Sequence, residues 1–425
     1  MGWKILKHNG LHFPYKYMYQ NIKIVFKLKH YTINPQLEEA IFHFLKSKFK
    51  EDDVFSSNFL HSIRKYLPKE LSNIKNIHDL NLNQFKNKQC IIKINKTNIN
   101  KYKFCTINGK TEELSKYVPE PACIFNGRGN HPLRGTFKES IQPINVIINI
   151  SKNICIDNQS KYKKIIQNKS VNWIACWKDV ISNKYKYIYP SSHADIQTIS
   201  SQKKFNFARS LSKKIKLIQK NYMNDIQKGN EHGLCTYCID NFCLRCGTET
   251  DEDRTFGCTT LKQKHISFDG FNLTFCFNGK DSILFNKTFI VSPIIKQAFM
   301  KILKNKKKDD DLFTNVNSVS LNSYLNSLMP NLTAKVFRTY HASLLMYKML
   351  NKKSDNKYKQ FLNANVKVAA LCNHTNNSTS KTNYIDPRVI VSYCSRNNVE
   401  IKKCLSASLL KKYEWALSTP IKFKY

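Results

Sequence analysis

The chain has 425 residues, which is enough for two or three domains and a sizeable hydrophobic core. Lysine and arginine total 69 against 30 acidic residues, and the formal net charge of +39 is spread along the chain, which predicts a polyanionic partner. No apolar run approaches the length of a membrane-spanning helix, so the composition argues against a membrane protein and favours nucleic acid as the polyanion.

The N-terminal 190 residues mix helical and strand patterns. Helical periodicity occurs at residues 35–49 and 58–66, whereas strand patterns occur at residues 22–26, 146–150, 172–177 and 185–189. The last three runs suit strands of one sheet. Residues 67–105 are polar and carry no clear pattern. We therefore predict an α+β region for residues 1–190.

A glycine-rich loop lies within this region at residues 125–132, FNGRGNHP. Gly127 and Gly129 flank Arg128, which lets the backbone approach a ligand closely while Arg128 projects toward it. An ordinary surface loop is the alternative that these residues leave open.

Helical patterning replaces the mixed pattern near residue 200. Phe205, Ala208 and Leu211 recur at helical intervals with lysines between them. The next predicted helix carries Cys235, Cys238, Cys243, Cys246 and, at its end, Arg245, because the following Gly247 suits a C-terminal stop.

These four cysteines resemble a zinc motif only superficially. Two C-x-x-C pairs with four residues between them cannot easily wrap one tetrahedral metal, since zinc ribbons need a longer spacer. We predict instead that the thiols pack on one face of the helix and bind no metal. The chain's fourteen irregularly spaced cysteines likewise predict free thiols in a reducing compartment.

Lys280 follows a β-hairpin signal. Leu273, Phe275 and Phe277 alternate, Asn278-Gly279 suits a two-residue type I′ turn, and the apolar pattern then resumes. A lysine at such a tip is usually solvated, but it can also deliver an ammonium group to a phosphate.

Two further candidates lie on predicted helices. Thr333 can cap a helix that carries Val336, Tyr340, Leu344 and Tyr347 on one face and Arg338 in its early turns, where unpaired backbone N–H groups also favour an anion. His374 ends an apolar run at residues 368–371, where a histidine at a helix end is the ordinary interpretation.

Tyr384 completes the set, in a polar segment before Asp386-Pro387 and an apolar run at residues 389–391. A single tyrosine in this setting is most often a packing residue. A phenol preceded by Arg245, Lys280, Arg338 and His374, however, provides a nucleophile, three cations and an imidazole, a set suited to transesterification at a phosphodiester.

Five motifs together resemble the eukaryotic type of DNA topoisomerase IB, in the family's order and spacing apart from the final gap. They are residues 125–132 (FNGRGNHP), 277–283 (FNGKDSI), 332–340 (LTAKVFRTY), 371–374 (LCNH) and 380–388 (SKTNYIDPR). The resemblance runs from Trp3 almost to Trp415. It implies an α+β multidomain clamp that encircles duplex DNA, with a mixed cap region and a mainly helical catalytic region containing a small sheet.

The resemblance also implies roles for the five candidate residues. Tyr384 is expected to attack the scissile phosphodiester and form a 3′-phosphotyrosyl bond. Arg245 and Arg338 are expected to hold the nonbridging oxygens, and His374 to donate to one of them. Lys280 is expected to protonate the departing 5′ oxygen as general acid, a role that a lysine of lowered pKa suits. Relaxation would then need neither ATP nor a metal cofactor.

The same resemblance implies DNA contacts outside the catalytic set. The expected contact residues are Arg128, Asn130, His131, Asp281, Lys335, Thr379, Lys381 and Asn383. Of these, Arg128, Asp281 and Asn383 match positions that line the cleavage site, where camptothecin-type drugs stack in relatives. Sensitivity to that class is therefore expected.

The chain departs from the family in ways that suggest a minimal form. Only nine residues separate His374 from Tyr384, in place of a long charged helical linker. We expect a form that also lacks the family's long basic N-terminal extension. Within the motifs, departures from the family's usual residues occur at Asn126, Leu133, Thr248 and His341. The five candidate catalytic positions are retained.

The expected organisation has three parts. Residues 1–190 form the cap and N-terminal DNA-binding region, with residues 18–100 as a cap subdomain. Residues 191–375 form the catalytic core, and residues 376–425 form a short linker and a C-terminal segment that carries the nucleophile. We expect a monomer on double-stranded DNA, located in the nucleus, or in a viral factory or virion if a virus encodes it.

Two other functions remain open from the sequence. A tyrosine recombinase uses a similar constellation for strand exchange, but it usually has a His-x-x-Arg box, whereas this chain has Lys335-Val336-Phe337-Arg338 and a cap-like N-terminal region. A non-catalytic basic DNA clamp is the second alternative, and retention of the whole catalytic set argues against it.

Overall fold

The computed structural model describes residues 2–94, 98–127, 131–247 and 255–425, apart from the side chain of Asp281. It divides into two compact units, Met1–Gln197 (the N-terminal unit) and Thr198–Tyr425 (the C-terminal unit). Helices and small sheets occur in both units, so the protein belongs to the predicted mixed α+β class, with a mainly helical C-terminal part.

Short strands dominate the N-terminal unit. Its strands are β1 Leu6–His8, β2 Tyr15–Tyr17, β3 Lys23–Phe26, β4 Lys29–Thr32, β5 Ile92–Ile94, β6 Phe104–Ile107, β7 Lys110–Glu113, β8 Cys123–Ile124, β9 Phe137–Lys138, β10 Val146–Asn149, β11 Lys164–Ile166, β12 Ala175–Lys178 and β13 Tyr185–Ile188. Its helices are α1 Pro35–Lys46 and α2 Asp53–Ile63.

Capping residues explain why α1 and α2 begin where they do. The Asn34 side chain accepts a hydrogen bond from the Leu37 N–H at 2.8 Å, and Asp52 accepts one from the Phe55 N–H at 2.9 Å. Both predicted helices are confirmed, although α2 begins five residues before the predicted start at residue 58. The two helices pack through stacked aromatic rings, Phe44 on Phe59, with centroids 4.3 Å apart.

A four-stranded sheet in the order β11-β10-β12-β13 forms the second core of this unit. The prediction that the three runs after residue 145 share one sheet is confirmed, and β11 adds a parallel strand that the sequence did not reveal. Val146, Ile148 and Ile188 are buried on one face of this sheet. Tyr185 and Tyr187 alternate with Lys186 and the buried Ile188, so they lie on the other face.

Helices carry most of the C-terminal unit. Its helices are α3 Asp195–Gln227, which begins at the end of the N-terminal unit, α4 Glu231–Phe242, α5 Pro293–Leu303, α6 Ser318–Leu328, α7 Ala334–Leu350, α8 Lys357–Leu371, α9 Asn377–Asn383, α10 Pro387–Arg396, α11 Ile401–Cys404 and α12 Ala407–Lys412. A three-stranded sheet accompanies them, formed by β14 Ile266–Asp269, β15 Asn272–Asn278 and β16 Leu284–Ile290.

The helix that carries the first cysteines is shorter than predicted. α4 ends at Phe242 because Cys243 adopts a left-handed backbone conformation with φ 52°, four residues before Gly247. Cys243, Cys246 and Arg245 therefore lie beyond the helix, and the prediction that the four thiols share one helical face is wrong. Cys235 and Cys238 do pack in the core, beside Cys258.

All fourteen cysteines are free thiols. Across the described ranges, no group of three or more histidine, cysteine or acidic side chains is arranged to hold a metal ion. Among the helices of the described residues, none combines the length and apolarity needed to cross a bilayer.

The predicted hairpin is present, but its turn differs. Asn278 pairs with Leu284, so five residues connect β15 to β16, including a 3₁₀ turn at Lys280–Ser282. Gly279 has φ −85°, which a type I′ turn does not allow, and the positive φ falls at Ser282 instead. In this register Phe277 pairs with Phe285, and their stacked rings have centroids 5.1 Å apart. A two-residue turn at Asn278-Gly279 would change the register and separate this pair.

Candidate active site

Tyr384 lies between α9 and α10 and is held by its backbone. Its N–H donates to the Ser380 carbonyl at 2.9 Å, and its own carbonyl accepts from the Ser343 hydroxyl on α7 at 3.0 Å. The next helix is anchored by Asp386, whose buried carboxylate caps α10 and accepts from Arg388 at 2.7 Å. The Tyr384 side chain is 8% exposed, so most of the ring is enclosed.

Arg338 approaches this tyrosine from α7. Its side chain is 4% exposed, and the guanidinium carbon lies 5.2 Å from the centroid of the Tyr384 ring. Nη1 donates to the Cys243 carbonyl and Nη2 to the Cys372 carbonyl at 2.8 Å, while the buried Nε has no acceptor among the described residues. Because both acceptors are neutral, no carboxylate of the described chain cancels the guanidinium charge through these bonds.

The predicted face of α7 is only partly correct. Tyr340 is buried as expected, but Val336, Leu344 and Tyr347 are half-buried. Arg338 itself belongs to the buried face. The spacing of the apolar residues therefore did not predict that Arg338, a charged residue, would be buried.

Arg245 reaches the tyrosine from the loop after α4. The Cys258 N–H donates to the Arg245 carbonyl at 2.7 Å, which pins this loop to the segment that follows the undescribed residues. Arg245 Nη1 donates to the Tyr384 hydroxyl oxygen at 3.5 Å. Two arginines from separate elements thus converge on one phenol.

His374 is placed by a helix-ending motif. Asn373 has φ 50°, its N–H donates to the Ala370 carbonyl at 3.2 Å, and the His374 N–H donates to the Ala369 carbonyl at 2.9 Å. These two bonds form the Schellman arrangement, which stops α8 and turns the imidazole inward. The His374 and Tyr384 rings lie with their centroids 5.2 Å apart.

Burial and the two arginines determine the charge of the imidazole. Burial, and then the positive charges of Arg338 and Arg245, lower the pKa of His374 to about 4. The ring is therefore neutral at physiological pH and has one donor and one acceptor nitrogen.

Ser380 contacts the histidine from α9. Its fully buried hydroxyl lies 2.8 Å from His374 Nδ1, and His374 Nε2 is buried without a partner in the part of the chain that the structure describes. The hydroxyl can donate to Nδ1, which places the ring proton on Nε2. An N–H donor then faces the site.

Lys280 completes the group at the hairpin loop. Lys280, Arg245 and Arg338 line one small pocket in the C-terminal unit, and the Lys280 side chain is exposed to solvent. The structure therefore brings the five sequence-predicted candidates into one region: Arg245, Arg338 and His374 each contact Tyr384, and Lys280 shares a pocket with the two arginines. A cluster with this charge favours an anionic ligand such as a phosphodiester.

The predicted DNA-contact residues fall into three groups. Arg128, Asn130 and the side chain of Asp281 lie outside the described residues. Thr248, one of the departures from the family's usual residues, also lies outside them. Lys335 and Asn383 are exposed beside the candidate site, on α7 and at the end of α9, and Thr379 is half-buried. These positions stay predictions.

Two of the predicted contacts are engaged within the protein. Lys381 donates to the Cys404 carbonyl at 3.2 Å, and burial lowers its pKa. His131 lies in the N-terminal unit, where its Nδ1 accepts from the Leu133 N–H at 3.1 Å and its ring packs edge-on against Phe125. The Lys381 ammonium has three N–H donors, so its bond to the Cys404 carbonyl leaves two of them for a DNA contact.

The sequence did not identify Lys204 on α3. Its ammonium donates to the Asn383 carbonyl at 3.0 Å, next to Tyr384 in the chain. Burial, and then the charges of Lys412 and Lys335, lower the pKa of Lys204 to about 7. No sequence signal distinguishes this lysine from its neighbours, because the contact joins residues that are 179 positions apart.

Comparison with known proteins gives matches along nearly the whole chain. Residues 193–403 match the family model for eukaryotic DNA topoisomerase I, catalytic core, and residues 1–190 match that for eukaryotic DNA topoisomerase I, DNA binding fragment. DNA topoisomerase 1 beta of Arabidopsis thaliana is 28% identical over 100% of this chain and 59% of its own length. DNA topoisomerase 1 of Homo sapiens is 32% identical over 88% of this chain and 54% of its own length. The chain thus spans between half and three fifths of these relatives.

Proposed function

Because the chain belongs to the eukaryotic DNA topoisomerase I family, we propose that it is a type IB DNA topoisomerase. In this proposal it relaxes supercoiled duplex DNA by transient cleavage of one strand, rotation and religation, without ATP or a required metal. The observation that carries the proposal is the convergence of two arginines and a neutral imidazole on the buried Tyr384 side chain.

Tyr384 would be the nucleophile. Its oxygen forms a bond to the scissile phosphorus and its proton passes to solvent water, while the bond from phosphorus to the 5′ oxygen breaks. Lys280, which is exposed and lines a pocket with the two arginines, would give a proton to that 5′ oxygen. The phosphotyrosyl ester keeps the energy of the broken bond, so attack by the 5′ hydroxyl reverses the step.

Arg245, Arg338 and His374 would stabilise the charge that develops on the nonbridging oxygens. Arg338 Nε and His374 Nε2 are buried and lack partners among the described residues, so they can donate to a phosphate without breaking an existing hydrogen bond. The carbonyls of Cys243 and Cys372 fix the Arg338 guanidinium before substrate binds. Preorganisation of this kind reduces the reorganisation needed in the transition state.

The partner in this proposal is double-stranded DNA, bound by a monomer. Residues 1–190 would supply the cap and N-terminal DNA-binding region, residues 191–375 the catalytic core, and residues 376–425 the nucleophile. We also propose a nuclear location, or a viral factory or virion if the gene is viral.

The direct test is plasmid relaxation in EDTA without ATP. Wild-type protein should give ladders of relaxed topoisomers and, after denaturation, protein attached to DNA 3′ ends. Tyr384→Phe should give neither, whereas Tyr358→Phe, at an exposed tyrosine on α8, should behave as wild type. Strand exchange between paired sites without relaxation would replace the proposal with a recombinase function.

A further inference from the structure

The outer face of the four-stranded sheet in the N-terminal unit carries an unusual row of aromatic side chains. Tyr185, Tyr187 and Tyr189 alternate along β13 and its end, and they are 45%, 43% and 38% exposed. The intervening Lys186 and Ile188 point to the opposite face, where Ile188 enters the core. β13 is an edge strand of its sheet, so this row lies along a sheet border. We call the three tyrosines the tyrosine face.

The rings of the tyrosine face lie close to one another. Centroids are 6.4 Å apart for Tyr185 and Tyr187 and 6.0 Å apart for Tyr187 and Tyr189, and Trp173 lies 5.6 Å from Tyr187. Packing between neighbours limits the rotamers of each ring, while a large part of its surface still faces solvent. Such a row is a preformed stacking platform.

Lysines share this face. Lys178 lies directly opposite Tyr185 in the antiparallel pair, so the two side chains are neighbours on the same face. Lys164 lies opposite Ile147, which in turn lies opposite Cys176 and so belongs to the same face. Both lysines are exposed.

Negative charge is scarce around them. Residues 143–190 contain eight lysines and only two acidic residues, Asp157 and Asp179. Asp157 pairs with Lys101, and Asp179 is buried and pairs with Lys138 at 2.6 Å. The charge of this surface therefore complements a polyanion and not a basic or neutral protein partner. Exposed aromatic rings beside the lysines favour nucleic acid among polyanions, because bases can stack on them.

We propose that the tyrosine face binds single-stranded nucleic acid, with bases stacked on the tyrosines and phosphates held by Lys178 and Lys164. Duplex DNA would use only the lysines, because its bases are already stacked on one another, whereas unpaired bases can use the rings as well. The site is separate from Tyr384 in sequence and unit, and it extends the proposed function to DNA or RNA single strands.

The test measures binding of fluorescent oligonucleotides of about a dozen residues, a length that a site of this kind can cover. The full chain carries Tyr384→Phe so that no covalent complex forms, and excess unlabelled duplex occupies the duplex-binding surface. Oligothymidylate and oligouridylate distinguish DNA from RNA as the source of the single strand. An abasic oligonucleotide of equal length reports phosphate contacts alone.

Tyr187→Ala should weaken binding of at least one of the two oligonucleotides about tenfold, because a base loses its stacking partner. Tyr187→Phe keeps the ring and should bind as tightly as the parent, as should the matched control Tyr358→Ala on α8. Equal affinity of the parent for abasic and base-bearing oligonucleotides would overturn the proposal. So would unchanged binding by Tyr187→Ala.

Plasmid relaxation separates this proposal from the proposed function. With Tyr384 intact, Tyr187→Ala should relax supercoiled plasmid as the wild type does. If wild type bound the oligonucleotides through the tyrosine face but relaxed no plasmid, only the topoisomerase proposal would fail. Photocrosslinking of 5-iodouracil oligonucleotides should label the peptide that contains Tyr187, and labelling only elsewhere would contradict the assigned site.

Discussion

At the residue scale, Ser380 connects two of the candidate catalytic groups. Its hydroxyl contacts His374 Nδ1 at 2.8 Å, and its carbonyl accepts from the N–H groups of Tyr384 at 2.9 Å and Ile385 at 3.0 Å. One buried serine therefore constrains both the imidazole and the tyrosine. We expect it to act as a positioning residue.

Ser380→Ala should reduce the rate of single-turnover cleavage about tenfold, or ~1.4 kcal/mol, because the histidine loses the hydrogen bond that favours Nε2–H. Affinity for duplex DNA should stay within about twofold, since the hydroxyl is fully buried and already bonded to His374. Ser378→Ala, at an exposed position of the same helix, is the matched control. An unchanged ¹⁵N spectrum of His374 in Ser380→Ala would contradict the tautomer argument.

Arg338 allows a second test because its geometry is specific to arginine. The guanidinium reaches two carbonyls on different elements and still presents Nε, whereas a lysine ammonium cannot satisfy all three directions. Arg338→Lys should lower the cleavage rate about 100-fold or more, as expected for loss of a preorganised donor to a developing anion. Single-turnover cleavage with Arg209→Lys, at an exposed position on α3, provides the control, and a loss below about threefold would argue against the assigned role.

The sequence identified the five candidate residues because each lies in a distinctive local motif. It did not identify Ser380 as a partner of His374, or Lys204 as a neighbour of Tyr384, since such contacts depend on how helices pack. Nor could residue types predict that the pKa of His374 falls, because the fall arises from burial and from two arginines distant in sequence.

At the element scale, a buried polar network joins three helices behind Arg338. Asp240 on α4 is 2% exposed and accepts from Tyr222 and Gln219 of α3 at 2.8 and 2.9 Å and from His341 of α7 at 2.6 Å. Burial acts to raise the pKa of Asp240, but the bonds from His341 and its other partners outweigh it and hold the pKa below its usual range. The carboxylate is thus charged and shared.

Asp240→Asn should destabilise the C-terminal unit by about 1–3 kcal/mol, because at least one buried donor would lose its acceptor. Urea unfolding at neutral pH measures the change, and Asp355→Asn, at an exposed position, is the control. Asp240→Asn should destabilise the His341→Asn variant less than it destabilises the wild type, since one partner of Asp240 is then already altered. Equal costs in the two backgrounds would indicate that the pair is not coupled.

Elements were predictable where local signals agreed with packing. The predicted start of α1 at Pro35 is confirmed by the structure, in which Pro35 occupies the first turn. Asn278-Gly279 predicted a two-residue turn, but the structure has a longer connection in which Phe277 pairs with Phe285. Gly247 similarly suggested a helix end, but Cys243 adopts the left-handed conformation first, at a residue type that seldom does so.

At the scale of the whole molecule, the sequence predicted a boundary after residue 190 because the hydrophobic periodicity becomes helical near residue 200. The structure divides at Gln197, and each unit has cores of its own. The net charge of +39 is a property of the entire chain, so it indicates a polyanion without locating where that partner binds. The positions of individual lysines indicate a binding surface only once the strand register is known, as where Lys178 pairs with Tyr185.

Acid stability of the whole chain can be tested at His8 on β1, which the fold buries as a neutral ring. Its Nε2 contacts the Asn149 carbonyl at 3.0 Å, its Nδ1 accepts from the Gly10 N–H at 3.0 Å, and burial lowers its pKa to about 4. Because the folded pKa lies below the unfolded value of about 6.5, the unfolded chain takes up a proton first as the pH falls. The stabilisation is complete above pH ~6.5 and is lost progressively toward pH ~4.

When the pH falls from 7 to 5, protonation of His8 in the unfolded chain should lower the unfolding free energy of the wild type by about 2 kcal/mol. His8→Gln should not show this part of the decrease. Glu39 acts in the opposite direction, since burial raises its pKa to about 7, so the difference between variants is more informative than the slope of either one. His61→Gln, at an exposed position on α2, should keep the wild-type slope. Urea unfolding at the two pH values measures all three proteins, and parallel pH profiles for wild type and His8→Gln would show that His8 is not the acid-sensitive group.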